Sequence, residues 1–206
     1  MDSKKMFVSL IPWVLFSVLI NRRGADAAAV AALLAAAVSL VLLIKSMQET
    51  GVKVLDVTGV ATFGAFAVVG FFSGGSPATD WIADYGRGSA TLVLAAIMLG
   101  SVFTVPFTEQ YARESVPREY WTSPVFRSVN RKISAMWAGV VAVMGVGHLL
   151  AGLLDPATQP VPGFRPVDLI LNWVLPIGLI LFAVRQTREL STHAGGRTAP
   201  VTPERR

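Results

Sequence analysis

The chain contains no cysteine, and it is poor in histidine. The absence of cysteine among its 206 residues excludes disulfides, thiolate nucleophiles, iron–sulfur clusters and cysteine-based zinc sites. Two histidines, His148 and His193, are too few for a histidine-rich metal site. No phosphate-binding glycine loop or other cofactor motif is present. We therefore expect neither a metal ion nor another cofactor.

Charged residues are also scarce. Asp, Glu, Lys and Arg make up 15% of the chain, whereas a soluble domain has about a quarter, and the mean hydropathy is +0.57. The apolar residues form long blocks, as a bilayer requires, because about 20 apolar residues span its hydrocarbon core. We expect an integral membrane protein in contact with the bilayer. We attribute the net charge of +5 to the excess of Lys and Arg that is usual in the loops of membrane proteins. Nucleic-acid binding is not expected, because no basic domain lies apart from the apolar blocks.

Six apolar blocks predict an all-α bundle of six transmembrane helices in one domain, residues 1–190. Backbone groups in lipid must bond within their own segment, so each block should be helical. The blocks cover residues 6–20, 25–44, 54–72, 90–107, 133–154 and 168–184. The first is short and contains Pro12, so we expect it to begin nearer Ser3, to tilt or to cross only part of the membrane. The Gly-, Pro- and Asp-rich stretches 73–89 and 155–167 indicate turns, and residues 191–206 indicate a disordered tail.

The distribution of lysine and arginine predicts the orientation. Of the 18 basic residues, all but Arg22, Arg23, Arg87 and Arg165 fall in segments on the side of the N-terminus. Because basic residues favour cytoplasmic loops, both termini and the loop 108–132 are predicted to be cytoplasmic. The pair Arg22-Arg23 runs against this rule. A cleaved signal peptide is the weaker alternative. The small residues at 25–27 resemble a cleavage site, but the two arginines lie between this site and the apolar core, where positive charge is disfavoured.

The predicted cytoplasmic loop 108–132 alternates arginines with aromatic residues. Spacing of four residues between Glu109 and Arg113, and between Glu114 and Arg118, predicts a short helix before Pro117. Ser123 and Pro124 then predict the start of a helix that continues into the fifth block. The segment is either a structural hairpin at the membrane surface or a site for a partner or anionic lipid headgroups. The candidate contact residues are Glu109, Arg113, Arg118, Trp121, Arg127, Asn130, Arg131 and Trp137.

Three polar residues inside the blocks are candidates for function: Asp56, His148 and Asn172. An ionisable residue in a membrane is a functional candidate by default. His148 shares one helix face with Asn130, Trp137 and Val141, and Asn172 is expected at a similar depth, within reach of a hydrogen bond to it. Structural hydrogen bonding and a proton relay both remain open for His148. Asp56 begins the third block, where the helix dipole stabilises a carboxylate.

Three functional hypotheses follow. The first is a non-enzymatic membrane protein that acts through partner or lipid contacts. The second is a small transporter or channel for a proton-coupled solute, with Asp56, His148 and Asn172 on an inward face. The third is an intramembrane enzyme for a lipid or isoprenoid, with Glu109, Asp56 or His148 as acid or base, although no enzyme motif is present. Faces of small residues on the second, third and fifth blocks pack either within one bundle or in a homo-oligomer.

The order of several features is distinctive. The first block contains LIPWVLF and is followed by an Ala-rich second block that ends in Lys. The third block ends in GFF. The fifth block and the residues before it have the sequence VFRSVNRKISAMWAGVVAVMGVGHLLAG. In this order of features the chain resembles the intracellular septation protein A family of bacterial inner-membrane proteins. The matching residues are Pro12, Phe72, Asn130 and Trp137. That family's acidic, lysine-rich segment after the third helix is replaced here by SGGSPATDWIADYGRG. The resemblance implies the bacterial cytoplasmic (inner) membrane, a role in septation or envelope synthesis with partners from those complexes, and no catalytic residues.

Overall fold

The computed structural model describes residues 3–20, 24–74, 76–156 and 165–196. Within these residues the chain is helical and has no β-strand, which confirms the all-α prediction. The helices are α1 (Ser3–Ser9), α2 (Ile11–Leu19), α3 (Gly24–Glu49), α4 (Val54–Phe72), α5 (Pro77–Ser101), α6 (Phe107–Ala112), α7 (Pro124–Leu154), α8 (Pro166–Leu169) and α9 (Leu175–Gly196). A 3₁₀ turn at Arg118–Tyr120 precedes α7, and a π-helical turn at Ile170–Val174 joins α8 to α9.

Five helices in the described part of the chain are long and apolar enough to cross a membrane. They are Ala27–Glu49, Val54–Phe72, Pro77–Ser101, Pro124–Leu154 and Pro166–His193, and their mean hydropathy lies between 1.2 and 2.8. The predicted first block is not among them, because it divides at Leu10 into two helices of 7 and 9 residues. Pro12 has no backbone N–H to donate, which favours this break.

The two short helices nevertheless run from one end of the bundle to the other. Lys5 on α1 forms an ion pair with Glu114, which follows α6. Beyond the break, the carbonyl of Ser17 accepts a hydrogen bond from Arg87 on α5. We call the end that holds Lys5 and Glu114 the near end, and the end at which α2 finishes, beside Arg87, the far end.

Helix α5 begins at Pro77 rather than at residue 90, where the prediction put it. Ser76 caps the helix, since its Oγ accepts from the amide of Ala78 at 3.3 Å, and Pro77 has a fixed φ suited to the first turn. The glycines inside this helix, Gly86 and Gly88, serve packing instead of turns: a Cβ on Gly88 would lie 2.6 Å from Leu149. Arg87, counted as a loop residue in the prediction of orientation, is therefore buried within a helix.

The boundaries of the later helices also differ from the sequence prediction in places. The expected cap at Ser123 is present, because its Oγ accepts from the amide of Phe126 at 3.1 Å, and α7 continues to Leu154 without interruption. Helix α9 continues to Gly196, past the expected end of the last block. The rest of the predicted disordered tail, 197–206, lies outside the described residues, as do Arg22 and Arg23.

Small residues bring the helices together. A Cβ on Gly145 of α7 would lie 2.7 Å from Leu92 of α5, and a Cβ on Gly59 of α4 would lie 2.5 Å from Ser39 of α3. Close backbone approach of this kind is the usual way in which helices associate in lipid. Within the core so formed, the ring of Phe63 packs 5.0 Å from that of Phe16, which fixes α2 against α4.

Candidate functional site

The three polar candidates inside the predicted membrane blocks do not meet at one site. Asp56 lies in the first turn of α4 at the near end, where Val54 of the same turn donates to the side chain of Gln110 on α6. His148 lies on α7, 18 residues after Asn130, so about 27 Å of helix separates it from the near end. His148 and Asn172 together form part of a far-end site, whereas Asp56 belongs to the near end.

The far-end site is built on a chain of hydrogen bonds through Asn172. The expected bond is present: Nδ1 of His148 lies 2.7 Å from Oδ1 of Asn172. The amide nitrogen of Asn172 donates to Oδ1 of Asp168 at 2.8 Å. Because an ionised carboxylate only accepts hydrogen bonds, this contact fixes the orientation of the amide, and Nδ1 of His148 must be the donor. In the neutral ring, Nε2 is therefore left as an acceptor.

Asn172 lies in the π-helical turn Ile170–Val174. Pro176, four residues later, has no N–H with which to bond the carbonyl of Asn172 in an ordinary α-helix. A local change of helix type at this point is consistent with that missing donor. Single π turns inside longer helices are frequent at functional sites, and here the turn carries the side chain that joins His148 to Asp168.

A small cavity of about 40 Å³ opens beside this chain, between α2, α5, α7 and α8. This volume exceeds the roughly 10–15 Å³ that one water molecule requires. Arg87 lines it and is 8% exposed, with Nη2 donating to the carbonyl of Ser17 and Nε without a partner among the described residues. Asp155 forms an ion pair with Arg165, and its Oδ2 has no hydrogen-bond partner in the described structure. Arg87 Nε and Asp155 Oδ2 are thus a buried donor and a buried acceptor without hydrogen-bond partners among the described residues, on two side chains that line a space large enough for water.

Sequence analysis identified His148 and Asn172 but not the charged residues around them. Arg87 was assigned to a turn because of its Gly- and Asp-rich surroundings, and Asp155 and Arg165 to a second turn. The pair Ser76-Pro77, a capping residue followed by a proline, was the sequence signal that a helix begins there. It would have marked Arg87 as an arginine inside a membrane helix, which is a functional candidate.

At the near end, Glu114 links α1 to the start of α4. Its carboxylate lies 2.6 Å from Nζ of Lys5 and 2.5 Å from Nζ of Lys53, whereas the sequence spacing had predicted a pair with Arg118. Burial alone would raise the pKa of Glu114, but the two ammonium groups outweigh it and hold that pKa below its ordinary value. The Lys53 ammonium also lies 4.7 Å from the ring centre of Tyr111, and burial raises the pKa of that tyrosine.

Three of the predicted contact residues are buried rather than exposed at the protein surface. Glu109 accepts from Arg113 within α6, as their spacing predicted. Asn130 donates to the carbonyl of Phe126, and Trp137 donates from Nε1 to Thr187 of α9 at 3.0 Å. The bond of Trp137 joins α7 to α9, and the bonds of Glu109 and Asn130 are local ones between residues four apart, so all three side chains have structural roles in this conformation.

The remaining contact candidates divide between a groove and the outer surface of α7. A groove of about 560 Å³ at the near end is lined by Trp121 and by more basic than acidic side chains: Lys53, Arg113 and Arg118 against Glu49 and Glu114. The guanidinium groups of Arg113 and Arg118 lie 5.1 and 5.6 Å from the Trp121 ring centre, close enough for cation–π attraction. We call this the basic groove.

Two further arginines of the predicted contact set lie outside the basic groove. Arg127 is exposed on the first turns of α7. Arg131 is also exposed on α7, and its Nε donates to the carbonyl of Val102 at 3.1 Å. Arg127 is therefore suitable for a control substitution, whereas Arg131 has a backbone partner outside its own helix.

In the residues that the structure describes, neither end of the bundle resembles a metal centre, and the chain matches no known family. In the described part of the chain, no group of three or more His, Asp or Glu side chains could hold a metal ion. The chain matches no protein-family model, no curated protein and no solved structure.

Proposed function

We propose that this chain is a non-enzymatic, multi-pass protein of the bacterial cytoplasmic membrane that supports envelope synthesis or septation. It would do so by holding an anionic lipid headgroup or an acidic partner segment in the basic groove. The observation that carries the proposal is the arrangement of Arg113 and Arg118 over Trp121, at the mouth of an open groove. The resemblance in order of features to septation proteins supports the envelope role.

The chemistry of the near end favours recognition over catalysis. Glu109 is bonded to Arg113, and Glu114 is held between two lysines, so each of these two carboxylates already has a cationic partner. Asp56 has no ion pair among the described residues and its Oδ1 has no hydrogen-bond partner there, but it is buried away from a substrate, at 3% exposure. A general base needs a lone pair that can reach a substrate. Arg118, by contrast, has no carboxylate partner among the described residues and contacts the face of Trp121. Such a cation is available to an anionic ligand.

The proposed orientation has six crossings, with both termini and the basic groove in the cytoplasm. The path of α1 and α2 along the whole bundle supports six crossings. The excess of lysine and arginine in the near-end segments supports a cytoplasmic near end. The burial of Arg87 within α5 strengthens this asymmetry, because it removes one basic residue from the loops of the opposite side.

The experiment is gentle affinity purification from native membranes, with proteins and lipids identified together by mass spectrometry. The test variant carries Arg113→Glu and Arg118→Glu, and the control carries Arg127→Glu and Lys132→Glu, which reverse two exposed charges outside the groove. We expect the wild type and the control variant to recover division or wall-synthesis proteins, or one anionic lipid, in stoichiometric amounts. The test variant should recover none of them. Equal recovery by the two variants contradicts the proposal.

A proton-coupled transporter is the second candidate, and the far-end cavity favours it. The chain from Asp168 through Asn172 leaves Nε2 of His148 as an acceptor beside a space large enough for water. Proton uptake by proteoliposomes that is lost in His148→Ala, but kept in His193→Ala, would support this function. The absence of flux in wild-type proteoliposomes would leave the far-end site a structural one.

A further inference from the structure

An apolar groove runs along the outside of the bundle between α2 and α9. It has a volume of about 400 Å³, and its walls include Ile11, Val14, Val18 and Ile180, with Trp137 of α7 between them. Helix α9 packs mainly on α7, and α2 packs mainly on α3, so the space between α2 and α9 stays open. We call this space the lateral groove.

The lateral groove has the length of one lipid leaflet. It follows the α1–α2 segment from Phe7 to Val18, and the eleven helical rises between these two residues amount to about 16 Å. The hydrocarbon core of a bilayer is about 30 Å thick, so one leaflet takes up about half of that. An extended hydrocarbon chain entering from the near-end surface would lie within the groove over most of its depth.

A positively charged side chain, that of Arg188, lies at the near end of the lateral groove. A second space of about 80 Å³ shares Phe7 and Trp137 with the groove and is also lined by Arg188. Arg188 is exposed and has no carboxylate partner among the described residues, whereas Arg185, one turn earlier, pairs with Glu189 at 3.0 Å. An unpaired guanidinium at the level of the headgroups is complementary to an anionic headgroup.

The walls of the lateral groove suit a flexible chain better than another helix. Where helices of this protein meet closely, glycines make the contact: Gly59 meets Ser39, Gly70 meets Ala29 and Gly145 meets Leu92. Every residue that lines the lateral groove is large and apolar. Helix association in lipid depends on small residues that let backbones approach, so a second copy of this chain, or another protein's helix, fits the groove poorly.

We propose that the lateral groove binds one anionic lipid, with a hydrocarbon chain between α2 and α9 and the headgroup at Arg188. The site is separate from the basic groove, because the two share no lining residue in the part of the chain that the structure describes. The lipid fills the gap between two helices that do not pack on each other, so it also tightens the bundle.

The test is native mass spectrometry of the full chain in mild detergent, titrated with phosphatidylglycerol and with phosphatidylcholine that carries the same chains. We expect one phosphatidylglycerol per chain, with an affinity about tenfold lower in Arg188→Glu because an attraction becomes a repulsion. Val14→Trp, which fills the groove, should abolish binding. The matched controls are Arg185→Glu and Val68→Trp, since Val68 on α4 is 57% exposed and Val14 is 56% exposed.

Three results would overturn the proposal. The first is equal binding of the two lipids. The second is equal lipid binding by Val14→Trp and Val68→Trp, after both show a cooperative thermal unfolding transition; Ile11→Trp provides a second groove-filling variant if Val14→Trp does not fold. The third is a dimer that Val14→Trp dissociates, because the groove would then hold a second copy of the chain.

Discussion

His148 on α7 and Asn172 in the π-helical turn lie 2.7 Å apart, from imidazole Nδ1 to amide Oδ1. The contact joins two segments of the chain at a point where an ordinary α-helix is interrupted. Asn172 also donates to Asp168, so the amide serves as the link between an imidazole and a carboxylate. Whatever its function, this link holds the start of the last long helix against α7.

We predict that Asn172→Leu destabilises the protein by about 2 kcal/mol, because the buried His148 and the half-buried Asp168 each lose a hydrogen-bond partner. Unfolding by sodium dodecyl sulfate in mixed micelles measures the loss. A double-mutant cycle with His148→Ala isolates the pair, and we expect a coupling free energy of about 1 kcal/mol. If the losses of the two single variants simply add, the hydrogen bond does not stabilise the bundle.

The same link predicts the tautomer of His148. With Asn172 Oδ1 as the acceptor, the proton of the neutral ring is on Nδ1. Nitrogen-15 spectra of protein labelled at histidine report which ring nitrogen is protonated, and His193→Gln identifies the His148 signals. A neutral ring protonated on Nε2 would show that Asn172 presents its NH₂ group to the ring, which would also place its oxygen against Asp168.

Glycines at the interface of α5 and α7 give a third prediction. A Cβ on Gly152 would overlap the backbone carbonyl of Asp84, which cannot move aside as a side chain can. We expect Gly152→Ala to cost about 2–3 kcal/mol of unfolding free energy, as overpacking does. Gly139→Ala is the matched control on the same helix, because nothing lies within 4 Å of its Cβ. The control should be neutral or stabilising by up to about 1 kcal/mol, and equal losses would mean that α5 and α7 are not packed so closely.

Much of the fold could be predicted from the sequence, because the membrane imposes long apolar helices. The helix over 54–72 was predicted with the bounds that the structure shows. The start of α5 was missed for a physical reason: Gly86, Arg87 and Gly88 resemble a loop in composition. In the folded chain the glycines of this stretch serve close helix contacts, and the arginine reaches a carbonyl of α2.

The candidate sites were harder to predict, because they depend on partners that are distant in the sequence. The hydrogen bond between His148 and Asn172 was expected from their similar depth. No local pattern indicated that Glu114 would bond Lys5 and Lys53 rather than Arg118, four residues away. Three-dimensional proximity between α1, α4 and α6 decided this pairing, and spacing along one helix did not.

The position of Glu114 between two lysines gives a fourth prediction. At pH 7, Glu114→Gln leaves the buried Lys53 ammonium without its carboxylate, at a cost of about 3 kcal/mol. The folded pKa of Glu114 lies below its unfolded value, so its stabilising effect is fully present above the unfolded pKa and is lost as the pH falls through the folded one.

Thermal unfolding of wild type and variant from pH 7 to pH 3 measures this dependence. We expect their difference in melting temperature to shrink once the pH falls below about 4, since protonation removes the carboxylate that the variant lacks. Glu119→Gln is the control, because Glu119 is exposed and has no ion pair among the described residues. A difference that stays constant across this range would show that Glu114 does not depend on its charge.

The orientation can be tested directly, because the chain has no cysteine of its own to interfere with labelling. Thr122→Cys follows the 3₁₀ turn at the near end, and Gly74→Cys follows α4 at the far end. Ser3→Cys reports on the start of the chain. A membrane-impermeant maleimide should label Gly74→Cys in intact cells, and it should label Thr122→Cys and Ser3→Cys only after the cells are opened, since basic segments remain in the cytoplasm. Labelling of Ser3→Cys from outside, with Thr122→Cys protected, would mean that α1 and α2 do not cross the membrane, and that the ion pair of Lys5 with Glu114 does not form there.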